Sequence, residues 1–197
     1  MTYELRADDA LIVTDPQHDF LPGGALAVAE GERIFAPLNA LAQRFARVYA
    51  TRDWHPADHS SFAQYGGPWP VHCVAGSHGA QIDARLELAN VDTIVDKGTA
   101  RETDGYSAFA STGLAGDLRS HGIRRVFIGG LATDYCVKAS ALEARAAGFE
   151  AVVLEDASAA VNVDPSDEAR ALAELRDAGV QIAKSTELRG NARPVRR

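Results

Sequence analysis

The chain has 197 residues, 46% of them hydrophobic and 24% charged, with a formal net charge of −7. That length and apolar share suit a single domain, residues 1–197, with a sizeable core. The acidic balance argues against nucleic acid or an anionic membrane as the main partner, because phosphates reward clustered Lys and Arg.

Short β-branched runs alternate with Ala-rich amphipathic stretches. Residues 10–15 (ALIVTD) read as a buried strand, 32–46 as a helix, 47–52 (RVYATR) as a second strand and 91–96 (VDTIVD) as a third. Residues 114–121 read as a helix stopped by Gly122, 125–129 (RVFIG) as a fourth strand, and 134–147 as a helix closed by Gly148. A fifth strand at 150–154, a helix at 165–178 and a sixth strand at 180–183 follow; the basic tail 189–197 reads as frayed. Continuous apolar strands separated by helices predict an α/β fold in three layers: a six-stranded, mostly parallel sheet with helices on both faces, Rossmann-like in plan.

Residues 54–80 fit neither pattern. They hold Pro56, Pro68 and Pro70 and four of the six histidines, and a loop of that length in a compact domain is usually functional or disordered. The start of the chain lacks a signal core and no apolar run approaches the ~20 residues of a membrane helix. A cytoplasmic setting is therefore expected. Cys73 and Cys136 are too few for a disulfide framework and are expected to be free thiols.

Three constellations carry chemistry. Asp53-Trp-His55-Pro-Ala-Asp-His59 with His72 offers a carboxylate and imidazoles suited to one divalent ion, Zn²⁺ before Mn²⁺ or Fe²⁺. The alternative is a set of solvated, turn-forming residues. His18 and His78 lack such an arrangement and read as ordinary polar residues, and His121 reads as a helix-end residue. The second constellation is Cys136 in Gly129-Gly-Leu-Ala-Thr-Asp-Tyr-Cys136. A helix starting near Thr133, with Thr133 as N-cap, would set Cys136 in the first turn, where the dipole favours a thiolate. Its alternative is a buried structural thiol, which is also the reading for Cys73. The third is Asp15 with Lys97. Each alone reads as an ion-pairing residue; beside a thiol, Asp15 becomes a base and Lys97 its charge partner. Asp15, Asp53, Lys97 and Cys136 all follow strand ends, where parallel sheets bind ligands.

Asp15 with Gln17 and Asp19-Phe20, Lys97-Gly98 with Gly105-Tyr-Ser-Ala-Phe109, and Gly130-Leu-Ala-Thr-Asp-Tyr-Cys136 resemble segments of the isochorismatase-like hydrolases. Within that family, Asp53-x-His55-x3-His59 and Trp69-Pro-Val-His72-Cys73 resemble the nicotinamidase branch. The resemblance spans roughly residues 11–160. It implies a catalytic triad of Asp15, Lys97 and Cys136, oxyanion donors at Ala132 and Cys136, and a cis peptide between Leu131 and Ala132. It implies metal ligands Asp53, His55 and His72, with His59 a fourth in some members, in a loop at about 53–80, and Ser60 ordering a metal-bound water. Phe20, Trp69 and Tyr106, with Leu131, match substrate-binding positions that sandwich a pyridine ring. The implied reaction is hydrolysis of nicotinamide, and by analogy pyrazinamide, to acid and ammonia through a Cys thioester, with the metal holding the ring nitrogen; its place would be salvage of pyridine nucleotides. Pro16 and His18 depart from the commoner Val and Asn, which bears on substrate preference.

Rival readings are an amidase for carbamoyl or ureido compounds, whose relatives share the triad but generally lack the metal motif, and a non-catalytic metal-binding protein on this fold. A thiol redox protein would need a second cysteine within reach. The sequence leaves the oligomeric state open, with a homo-oligomer among the expectations.

Overall fold

The computed structural model describes residues 2–193. Six strands form the main sheet: β2 (Asp9–Thr14), β3 (Arg47–Asp53), β4 (Thr93–Lys97), β5 (Arg125–Leu131), β6 (Glu150–Ala159) and β7 (Gln181–Ala183). They run parallel in the order β4-β3-β2-β5-β6-β7. Strand order reverses around β2, so the chain winds first to one edge and then to the other. That reversal opens a crevice at the carboxyl ends of β2 and β5.

Period-two alternation divides the central strands between two cores. Leu11, Val13, Val48, Phe127 and Val152 join Phe35, Leu38 and Leu41 of helix α1 (Phe35–Ala42) on one face. Ile12, Tyr49, Val126, Ile128 and Val153 face the other side. There they meet Leu114 and Leu118 of α2 (Leu114–Ser120), Ala141 and Ala144 of α3 (Lys138–Ala146) and Leu175 of α4 (Asp167–Asp177). The predicted three-layer α/β architecture is the one found. No helix among the described residues is long and apolar enough to cross a membrane.

Several boundaries differ from expectation. The first helix opens with a tight turn at Gly31–Ile34 and ends at Ala42. The amides of Arg44 and Phe45 both return to the Leu41 carbonyl, which closes the helix and drops Phe45 into the core. Strand β6 runs on to Ala159 through an irregularity opposite Ile128–Gly130. The tail predicted to fray begins in structure: Leu188–Arg189 (β8) pairs in parallel with Tyr3–Glu4 (β1). Residues 194–197 lie outside the described ones.

Two glycines hold the crevice together. Gly130, at φ +126°, packs so closely on β2 that a Cβ would stand 2.1 Å from the Thr14 carbonyl oxygen. Gly98, at φ +61°, presses on the His55 ring, and a Cβ there would stand 2.4 Å from Cε1.

Candidate active site

Asp53 and Lys97 end neighbouring parallel strands and are register partners, so their side chains leave the sheet on the same side. Asp15 follows the last residue of β2 at φ +46°, a left-handed conformation that Asp tolerates better than most residues. Cys136 comes from a wide π-helical turn, Thr133–Val137, between β5 and α3. The peptide between Leu131 and Ala132 is cis.

These elements converge on one ammonium. Lys97 Nζ lies 2.8 Å from Asp15 Oδ2, 2.5 Å from Asp53 Oδ1, 2.6 Å from the Gly105 carbonyl and 3.5 Å from Cys136 Sγ. All four side chains are buried. Thr51 donates from its hydroxyl to Asp15 Oδ1 at 2.6 Å.

Burial, opposed by the Lys97 charge and reinforced by Asp53, pushes the Asp15 carboxyl up to about 6. Asp53 moves the other way: burial works to raise it, but Lys97 and then His55 outweigh burial and hold it below the ordinary carboxylate range. Lys97 loses from burial, yet the two carboxylates keep it firmly charged.

Cys136 corrects the expectation from helix-start position. Burial drives its thiol well above the ordinary value; Lys97 opposes this, and Asp15 and Asp53 add to it. Burial thus favours the thiol form and gives a nearby base a role. The helix-start argument fails locally as well, because Ala132 rather than Thr133 takes the cap position and no side chain caps the turn. The Thr133 hydroxyl faces Glu168 at 3.4 Å.

Beside the ammonium, Asp53, His55 and His72 are buried with ligating atoms all within 4.8 Å of one another. His55 Nδ1 is tied to the Gly98 carbonyl at 2.9 Å and His72 Nδ1 to the Pro70 carbonyl at 2.7 Å. Those backbone bonds fix the tautomer and leave Nε2 of each ring as the free ligand atom. Burial lowers the His72 pKa, favouring the neutral, ligating form. The donor set thus fits a divalent metal ion. His59 stands outside that 4.8 Å group. Its ring stacks on His55 at 4.0 Å, its Nδ1 meets Ser61 Oγ at 2.7 Å, and its buried Nε2 has no hydrogen-bond partner.

The cleft between these groups has a volume of about 40 Å³ and is lined mainly by apolar surface. Phe20, Trp69, Tyr106, Leu131, Ala132 and Cys136 all border it. The structure therefore brings the triad, the Asp53–His55–His72 set and the ring-binding candidates to one crevice, while His59 stacks on His55 and neither it nor Ser60 lines the cleft.

The model of the isochorismatase domain family matches residues 9–187. The chain belongs to the isochorismatase family. Among its relatives is a nicotinamidase of Acinetobacter baylyi, 39% identical over 91% of this chain and 94% of that protein. Among solved structures of the family, PnC1 of L. infantum in complex with nicotinate superposes with a TM-score of 0.92 at 45% identity, covering 96% of this chain and 99% of that one. The pyrazinamidase of Pyrococcus horikoshii in complex with zinc gives 0.84 at 45% identity, covering 90% and 99%.

Within this family fold, several contributors escaped the sequence. Thr51 lies mid-strand and carries no motif signal. Gln17 was legible as part of a motif, but its use was not: its carboxamide accepts from the Asp53 N–H at 2.7 Å and donates to the Asp53 and Ala80 carbonyls at 2.8 and 2.9 Å. Asp134 receives the amides of Val161 and Asn162 and ties that loop to the nucleophile turn. Ser61, not Ser60, faces the cleft; the Ser60 amide is directed at the Arg101 carbonyl instead. His18 and His78, read as unrelated polar residues, stack at 4.2 Å outside the cleft, with His18 paired to Asp83.

Proposed function

We propose that the chain is a nicotinamidase, hydrolysing nicotinamide to nicotinate and ammonia through a thioester on Cys136. The observation that carries this reading is one buried ammonium, Lys97, within reach of Asp15, Asp53 and Cys136, beside the Asp53–His55–His72 donor set. The nearness of nicotinamidases and pyrazinamidases in sequence and structure supports the same substrate class.

The catalytic roles follow from the electrostatics. Asp15, raised to about 6, is ionised at neutral pH yet basic enough to take the Cys136 proton as sulfur attacks the amide carbon. Lys97 holds Asp15 and stabilises the sulfur anion as it forms. The Ala132 and Cys136 N–H groups serve the tetrahedral oxyanion. Collapse expels ammonia with the proton carried by Asp15 and leaves a thioester. A water then attacks the acyl carbon, giving its proton to Asp15. Nicotinate departs, and the Asp15 proton returns to sulfur.

Asp53, His55 and His72 would hold the metal, with Zn²⁺ the first candidate and Mn²⁺ or Fe²⁺ behind it. When bound, the metal supplies a Lewis-acid anchor for the pyridine nitrogen. Phe20, Trp69, Tyr106 and Leu131 sandwich and orient the ring, and fixed placement of the amide over sulfur recovers several kcal/mol of barrier. The setting is a reducing cytoplasm, where the two free thiols persist.

The deciding experiment measures ammonia release from nicotinamide, pyrazinamide and a carbamoyl amide by metal-stripped protein reloaded with each ion. Turnover of the pyridine amide is expected, with the carbamoyl compound inert. Absence of nicotinamide turnover with every metal overturns the reading.

A further inference from the structure

Tyr135 precedes the nucleophile in the chain and belongs to neither the charged triad nor the metal donor set. Its ring stands edge-on to Trp69 at 5.1 Å and 82°, and lies 5.9 Å from Tyr106 at 31°. Trp69 Nε1 donates to the Tyr106 hydroxyl at 2.9 Å. The three rings therefore brace one another in a closed triangle along one side of the cleft. Edge-to-face contacts of this kind stabilise an aromatic cluster beyond the burial of its rings.

Tyr135 also borders a second space. A separate hollow of about 210 Å³ also has Tyr135 in its lining, with Asp134, Lys138, Asp167, Arg170 and Glu174. Among the described residues, Tyr135 alone lines both that hollow and the small cleft at Cys136. Its attachment is stiff. The Tyr135 N–H donates to the Ala132 carbonyl at 3.1 Å, and Asp134 is clamped by the 161–162 amides.

We infer that Tyr135 is a specificity-determining wall, which confines the cleft to a bare six-membered ring and shuts off the neighbouring charged hollow. This rests on the nicotinamidase reading and adds which amides are refused. Removing the ring would join an apolar cleft of about 40 Å³ to the polar hollow. It would also leave Trp69 without its edge-on support. The newly admitted class is pyridine carboxamides with a polar or charged substituent on a ring carbon.

The test compares wild type, Tyr135→Phe, Tyr135→Leu and Tyr135→Ala on nicotinamide and on nicotinamides bearing a methyl or aminomethyl group at each free ring carbon. kcat and KM are measured separately on protein of verified metal content and circular dichroism. Binding to the same proteins carrying Cys136→Ser is followed by calorimetry. For Tyr135→Ala, kcat/KM for at least one substituted amide is expected to rise tenfold or more relative to nicotinamide, mainly through KM. Tyr135→Phe should keep the wild-type rank order, and Tyr135→Leu should fall between.

An unchanged rank order in Tyr135→Ala overturns the inference, as does a Tyr135→Phe shift equal to that of Tyr135→Ala. If wild type fails to hydrolyse nicotinamide, calorimetry still decides. A change in size selection on binding upholds the wall while the nicotinamidase reading falls; no change removes both.

Discussion

Asp53 joins the two halves of the site through its two carboxylate oxygens. Oδ1 lies 2.5 Å from Lys97 Nζ, and Oδ2 lies 3.5 Å from His55 Nε2. One side chain thus serves the proton-handling group and the metal donor set together. Asp53→Asn should therefore do more than His55→Ala. Both are expected to lose bound metal, assayed by elemental analysis. Compared as metal-stripped proteins, only Asp53→Asn removes a negative charge that raises Asp15 and Cys136, so only it should move the pH profile of Cys136 alkylation by iodoacetamide downward. Identical profiles in the two variants would refute the coupling. Cys73 will not confuse the readout, being fully buried with its thiol driven up by burial.

Cys136→Ala should lower ammonia release by at least about a thousandfold, as expected when a covalent nucleophile is removed. Metal content should stay at the wild-type level, because Cys136 is not among the Asp53–His55–His72 donors. Full activity in that variant would sink the thioester route.

The Asp15 carboxyl near 6 gives pH dependence a definite sign. A base works when ionised, so kcat/KM should rise with pH through an acid limb near 6. Stability runs opposite. The folded value exceeds the ordinary 3.8, so the folded protein holds the Asp15 proton more tightly than the unfolded chain does. That contribution is fully present below about 3.8 and is lost as pH rises through about 6. Asp83 opposes it. Bonds from Arg85 outweigh burial and lower its carboxyl to about 2, so its contribution is present above about 4 and lost as pH falls through about 2. Denaturant melts of wild type, Asp15→Asn and Asp83→Asn between pH 3 and 7 separate the two. An acid limb unmoved in residual Asp15→Asn activity would contradict Asp15 as the base.

Gly98→Ala should cripple the metal site from outside the donor set. The added methyl would meet the His55 ring at 2.4 Å, and the backbone sits at φ +61°. Strain of this kind costs about 1–3 kcal/mol, read as a fall in Tm. Metal affinity should fall with it, because Gly98 also supplies the carbonyl that orients His55 Nδ1. Gly113→Ala, where a Cβ meets nothing within 4 Å, is the matched control, and equal losses in the two would dismiss the steric account.

Hydrophobic period was enough to sort residues 10–15, 47–52 and 125–129 into a parallel sheet, because strands buried on both faces must be apolar throughout, and strand-end position added 91–96, which forms the more exposed edge strand. The same logic sent Asp15, Asp53, Lys97 and Cys136 toward one edge, and motif spacing linked the histidine loop to metal chemistry. Residue type and order along the chain therefore determined the fold class and the inventory of reactive groups. The groups that bear on the Cys136 proton come together only in three dimensions. Local helix position favours a thiolate, while burial with two carboxylates nearby works against it. The retreat of His59 behind His55, the Thr51 hydroxyl under Asp15 and the Tyr135 wall depend on contacts between residues 4 to 66 positions apart. Such contacts are set by how side chains fill a shared volume, and no periodicity in a linear string encodes that packing.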